Sequence, residues 1–156
     1  MMKRKEQFSK SKKNINVNTI SFESTIRVRF SETDPLGIVW HGNYITYFED
    51  GREAFGRAHN ISYLEIKANG FTTPIVKSVC EHKLPLRYGE IAKIETTYVD
   101  SLAAKMIFKY KIFNTEDEIV CTGETVQVFL DDDGELSLNQ PKFFEDWKRK
   151  KGLLKE

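Results

Sequence analysis

The run Ser31-Glu-Thr-Asp34-Pro-Leu-Gly37-Ile-Val-Trp-His41-Gly-Asn43-Tyr44 sets one carboxylate just ahead of a Gly-bearing loop that feeds into a helix start. Free backbone N–H groups and the positive end of the helix dipole collect at such a start. A carbonyl held between those groups and Asp34 would be polarised on one side and open to attack from the other, which is a layout for acyl transfer. An Asp in this position is equally an ordinary turn or capping residue, so local pattern alone leaves both roles open.

The flanking segments have to position that acid. Ile26, Val28 and Phe30 alternate with Thr25, Arg27 and Arg29, the period of a strand with one buried face, and the alternation stops at Ser31. Pro35 fixes its own φ and biases Asp34 away from helical geometry, while Gly37 can take conformations closed to other residues. Asn43 is a favoured N-cap, and Tyr44, Tyr47, Phe48, Phe55 and Ala58 recur at helical spacing, which predicts a helix over Tyr44–Ala58. Gly51 inside that helix costs about 1 kcal/mol relative to Ala, and close packing of helix on sheet is a reason to keep it.

Beyond the helix, His59 to Asn69 can add a helical turn or two before Gly70, and strand character dominates from there on. Phe71–Leu84, Glu90–Val99, Ala104–Phe113 and Glu118–Leu130 read as strands. In the third of these, Met106, Phe108, Tyr110 and Ile112 alternate with Lys105, Lys109 and Lys111, so one face is buried and the other wet. One strand, a long helix and four further strands (β-α-β-β-β-β) describe an α+β domain with an antiparallel sheet curled around one central helix.

With Glu49 and Arg52 on the helix and Thr73-Pro-Ile-Val76 after it, the Asp34-Pro-Leu-Gly37-Ile-Val-Trp-His41-Gly-Asn43-Tyr44 segment resembles the hotdog-fold thioesterases of the 4-hydroxybenzoyl-CoA thioesterase family. The resemblance spans about Thr25 to Leu130 and rests on the pattern Asp-x-x-Gly-x-Val-x-x-x-Asn-Tyr. It implies that Asp34 is the catalytic carboxylate, as nucleophile or as general base on water, and that the amide at His41 polarises the thioester carbonyl. Hydrolysis of an acyl-CoA to a free acid and coenzyme A is the reaction implied. Gly37, Val39, Trp40, Asn43, Tyr44 and Thr73 are then expected around the substrate, with Tyr47 and Phe71 adding to an apolar pocket. The phosphates of coenzyme A need basic donors, for which Arg87 and Lys105 are candidates. The hydroxybenzoyl-specific members are basic in the turn that here reads Leu102-Ala-Ala104, which points to a different acyl group. A carrier-protein thioesterase or dehydratase of the same fold, and a non-catalytic acyl-CoA or nucleic-acid binding protein, are the alternatives.

Composition fits this reading and removes others. The chain has 156 residues, 40% of them hydrophobic, which suits one domain over 19–140 with its own core. The net charge is only +1, but residues 1–18 carry six Lys/Arg against one Glu and residues 142–156 six against three acids, leaving the middle at −7. Met1–Asn18 reads as a disordered basic tail, and with Phe8 as its one aromatic residue it is poor support for nucleic acid. Residues 141–156 read as an amphipathic helix whose aromatic residues pack on the domain. No apolar run is long enough to cross a bilayer and no signal peptide is evident, so a cytoplasmic protein without a membrane span is expected. Cys80 and Cys121 fall in strand-like segments and read as small packed hydrophobes. Since no two His share an i, i+4 spacing and Cys is sparse, neither a metal nor any other cofactor is expected. An open curled sheet leaves edge strands, so a homodimer or homotetramer is expected, with Phe71–Leu84 near its seam.

Overall fold

The computed structural model describes residues 18–154. Its main element is a five-stranded antiparallel sheet in the order β1-β4-β5-β6-β3, formed by Thr19–Arg27 (β1), Ile75–His82 (β3), Ile91–Val99 (β4), Lys105–Phe113 (β5) and Ile119–Val128 (β6). Phe71–Thr72 (β2) and Leu130–Asp131 (β7) make a separate two-stranded ladder. The long helix α1 covers Asn43–Ala58, a short α2 covers Tyr63–Ala68, and α3 covers Lys142–Lys150. A sheet wrapped around one long helix is the hotdog arrangement.

Alternation in the sequence becomes the two faces of the sheet. Ala92, Ile94, Thr96 and Tyr98 of β4 and Met106, Phe108, Tyr110 and Ile112 of β5 are buried beneath α1. On the outer face Lys111 lies opposite Glu95 and Lys109 opposite Glu124, unlike charges paired across strands. Helix α1 buries Tyr44, Tyr47, Phe48, Gly51, Phe55 and Gly56. Phe48 stacks on Tyr110 with ring centroids 4.4 Å apart, in a space left by Gly123, where any Cβ would collide with the Phe48 ring. A Cβ on Gly51 would likewise collide with Thr96 Oγ1 and come within 2.8 Å of Ile94 Cγ2, so this glycine sets how near α1 lies to β4.

Three local expectations need correction. The first strand runs Thr19–Arg27, and Phe30, expected on its buried face, is 77% exposed in a one-turn 3-10 helix over Phe30–Glu32. The turn forms because the Glu32 carboxylate accepts the Arg29 N–H at 2.7 Å. The N-cap of α1 is Gly42, without a side-chain cap, and Asn43 is the first helical residue. The strand expected over Phe71–Leu84 is broken at Thr73-Pro74, dividing β2 from β3.

At the other end of the chain, α3 starts after Pro141 and packs Phe144 and Trp147 into the core. Trp147 Nε1 donates to His59 O at 2.7 Å, tying α3 to the end of α1. Lys148 is fully buried, and its ammonium reaches Asp100 Oδ1 at 2.7 Å, Gln140 Oε1 at 3.1 Å and Ser101 O at 3.2 Å. The basic segment read as a tail over Met1–Asn18 lies, apart from Asn18, outside the described residues.

Candidate active site

Asp34 sits in a tight turn whose closure comes mostly from the backbone. Its N–H donates to Ile38 O and its carbonyl accepts from Gly37, both at 2.9 Å, and Thr33 and Val39 form a bridge across the turn. Gly37 has φ +76, the left-handed region in which a Cβ is strained. Asp34 Oδ1 accepts the Leu36 N–H at 2.8 Å, an Asx turn that orients the half-buried carboxylate.

The loop is then fixed to the rest of the domain. Val39 N donates to Leu86 O at 2.8 Å and Ile38 bridges Arg87, which brings Arg87 beside the acid's loop. Asn43 Nδ2 and Trp40 N both donate to Glu32 O, at 2.8 and 2.9 Å, joining the first turn of α1 to the strand side of the junction. Tyr47 OH donates to Glu32 Oε1 at 3.1 Å, and burial first, then the charge of that carboxylate, pushes the phenol well above its ordinary range. The Tyr44 hydroxyl is pushed up to about 12, chiefly by burial, so both rings stand neutral at the helix start.

Among the described residues, neither the His41 nor the Gly42 amide has an acceptor within the chain. Gly42 also allows the Trp40 indole to fold over this terminus, since a Cβ there would run into the ring. The arrangement therefore offers a fixed carboxylate and unspent N–H donors around one short loop, the two components that acyl transfer requires.

The remaining expected site residues are spread unevenly. Asp34, Gly37, Trp40, His41 and Asn43 belong to the loop and helix start, while Val39 (4% exposed) and Tyr44 (4%) are part of the core. Thr73 and Lys105 lie elsewhere. Strand pairing runs from Ile112 to Cys121 to His82, and the His82 ring is 6.4 Å from that of His41. Lys105 begins the same strand that Ile112 nearly ends, roughly 23 Å away at the usual strand rise. Thr73 is at that far end as well, its carbonyl and hydroxyl accepting from Gln127 Nε2 at 2.8 and 3.2 Å. Phe71, expected in the pocket, packs on Phe143 and Phe129 beneath α3. Arg52 donates to Tyr110 OH at 3.0 Å rather than pairing with Glu49.

Two clefts flank α1. One of about 760 Å³ lies beside β1 and is lined by Arg27, Arg29, Glu32, Tyr47, Asp50 and Tyr88. The other, of about 650 Å³, is lined by Glu49, Arg52, Thr73, Ile75, Met106 and Gln127. Asp34 and His41 line neither.

Known proteins resemble this chain in sequence and fold. The sequence profile of the Thioesterase-like superfamily matches residues 28–148. A Bacillus subtilis protein named "Putative acyl-CoA thioesterase YneP" is 32% identical over 122 residues, covering 78% of this chain and 88% of its own. The acyl-CoA thioester hydrolase YbgC of Escherichia coli is 26% identical over 115 residues, covering 74% and 86%. Among solved structures, the DHNA-CoA thioesterase of Staphylococcus aureus superposes with a TM-score of 0.75 at 28% identity, over 83% of this chain and 87% of that one.

Proposed function

The chain belongs to the thioesterase-like superfamily and is a thioester hydrolase, and from that premise we propose that it cleaves acyl-CoA thioesters to the free acid and coenzyme A, with Asp34 as the reacting carboxylate. The observation that carries the reading is the Asp34 loop, closed by its own backbone and joined to a helix start whose amides are unspent. The coenzyme A ester is favoured over a carrier-protein ester by the names of the relatives just described.

The chemistry is short. Asp34 takes a proton from a water as that water adds to the thioester carbonyl, or itself adds to the carbonyl to give an anhydride that water then opens. In either route the carbonyl oxygen becomes an oxyanion, held by the N–H groups of His41 and Gly42 at the positive end of α1. Collapse of the tetrahedral species breaks the C–S bond; in the first route the departing thiolate takes the proton held by Asp34, and in the second it leaves as the thiolate and is neutralised by the proton released when water opens the anhydride. Arg87, whose backbone bridges Ile38 of the loop, would meet a phosphate of the coenzyme.

We infer a homodimer in which a second copy completes the substrate pocket. Strand β3 is an edge, paired only with β6 among the described residues, and it exposes Ile75, Val76 and Val79. Antiparallel pairing of this edge with that of a second copy across a two-fold sets the start of one β3 against the end of the other. Thr73 of the second copy, directly ahead of its β3, would then approach His41, which one chain holds apart from it, while Lys105, two strands in from the edge and on the outer face, would not.

Thiol release from a panel of short, long and aromatic acyl-CoAs, with one acyl-carrier-protein ester for comparison, tests the activity. Release from at least one acyl-CoA in preference to the carrier ester is expected. Tight binding without release, or preference for the carrier ester, overturns the reading. Light scattering across dilution, run beside the same assay, tests the assembly, and a fully active monomer would overturn it.

A further inference from the structure

Three soft donors converge on the inner face of the sheet, and the thioester chemistry uses none of them. His82 and Cys121 are cross-strand partners on β3 and β6, and Cys80 stands two residues before His82 on the same face. Cys80 Sγ lies 3.4 Å from Cys121 Sγ and 3.7 Å from His82 Nε2, and one donor atom from each residue falls within 4.8 Å of the others. The triangle is set by strand pairing, so little side-chain freedom has to be lost to form it. Buried thiols commonly pack as small hydrophobes, but that role requires no imidazole nitrogen beside them.

These spacings have a chemical meaning. Around a tetrahedral ion with Zn–S of ~2.3 Å and Zn–N of ~2.0 Å, neighbouring sulfurs stand ~3.8 Å apart and sulfur and nitrogen ~3.5 Å apart. Two of the separations lie within about 0.4 Å of those values, and the third, between Cys121 Sγ and the His82 ring nitrogen, lies within 4.8 Å and closes by rotation of the exposed imidazole. Two thiolates and an imidazole select thiophilic ions such as zinc over oxygen-seeking ones such as magnesium.

We propose that Cys80, His82 and Cys121 form a binding site for one thiophilic divalent cation of the zinc class, held between the edge strand β3 and its neighbour β6. The site stands apart from the thioesterase reading and does not depend on it. An ion there fastens the last residue of the edge strand to β6. It also lies beside the α1 start, because the His82 ring packs on Tyr44 and His41 with centroids 5.0 and 6.4 Å away. Burial raises both thiols above their ordinary range, so each arrives protonated at neutral pH and the ion displaces two protons. Affinity therefore climbs about a hundredfold per pH unit while both thiols remain protonated.

The test uses the full chain, reduced and stripped of metal, titrated with zinc and, as a coloured probe, with cobalt(II). One equivalent per chain is expected, with a thiolate-to-cobalt charge-transfer absorption, release of two protons and a melting midpoint that rises with zinc. Cys121→Ala should abolish all four. Because that position is buried, His82→Gln at an exposed one gives a second variant with the fold intact, and it should weaken zinc at least tenfold. Absence of stoichiometric metal in the reduced protein overturns the proposal, as does a cobalt complex without thiolate absorption or unchanged affinity in His82→Gln.

Discussion

Asp34→Asn separates chemistry from structure at the proposed site. The backbone bonds closing its turn, from Asp34 N to Ile38 O and from Gly37 N to Asp34 O, do not involve the side chain. Among the described residues the side chain makes one hydrogen bond, Oδ1 accepting the Leu36 N–H at 2.8 Å, and an amide oxygen can accept the same bond. Stability should thus change by less than ~0.5 kcal/mol, the range of a surface substitution that keeps its contacts. The amide is too weakly basic and nucleophilic to take a proton or attack a carbonyl, so the rate should fall by ~10²–10⁴, which is ~2.7–5.4 kcal/mol of barrier at 1.36 kcal/mol per decade. Asp34→Ala provides the control, because it removes both the base and the Asx-turn acceptor and should cost a further ~1 kcal/mol of stability with no further rate to lose. The assay is thiol release at saturating acyl-CoA beside urea unfolding of both variants. If Asp34 only forms the turn, Asn retains turnover and Ala alone is impaired. That result would refute the assignment.

Other expectations follow from the packing of α1 and α3. Lys148→Ala leaves the Asp100 carboxylate, whose side chain is 13% exposed, facing a desolvated gap; urea unfolding should show a loss of about 3–5 kcal/mol, and one below ~1 kcal/mol would mean the ammonium is well hydrated. Gly51→Ala gains up to ~1 kcal/mol of helix propensity but drives a methyl against Thr96 and Ile94, an overpacking cost of ~1–3 kcal/mol, so a net loss is expected and a raised melting midpoint would contradict the packing. His59 is held below its ordinary pKa, first by burial and then by Lys151, so the folded state disfavours its protonation. The unfolded chain takes up that proton as pH drops below ~6.5, so stability is complete above this value and falls from there down to the folded pKa. Melting midpoints between pH 7.5 and 5.5 should fall in the wild type and less steeply in His59→Gln; parallel slopes would remove His59 as the cause.

What could be read before folding was what lies close along the chain. The helix over Asn43–Ala58 and the strands β4, β5 and β6 follow their apolar periods because each buries one face against a single layer. The turn at Asp34 was legible for the same reason, since Pro35 and Gly37 restrict it locally. Asn43 was misplaced because its side chain reaches back eleven residues to Glu32 O, a partner that no capping rule anticipates. Phe30 continued the alternation by composition, yet the Glu32 carboxylate captures the Arg29 N–H and curls the chain out of the sheet. The partner of Arg52, Tyr110, is likewise brought to it only by the packing of α1 on β5.

The thiol and imidazole cluster was hidden for a related reason. An i, i+4 search for ligands is a search for helices, and its failure says nothing about strands, where Cys80 and His82 at i, i+2 share a face. Cys121 joins them only through the β3–β6 register, which places it opposite His82 from 39 positions away. A one-residue slip in that register would turn its thiol to the outer face and leave two donors. The division of the expected substrate residues has the same origin. Asp34 and the His41 amide are neighbours along the chain, so one loop supplies both. Thr73 and Lys105 sit at the far end of β3 and β5, and in the proposed dimer antiparallel edge pairing would carry Thr73 back to the loop but not Lys105. The register of β3 against β6 therefore governs both what the inner face can bind and where a second copy's residues would arrive.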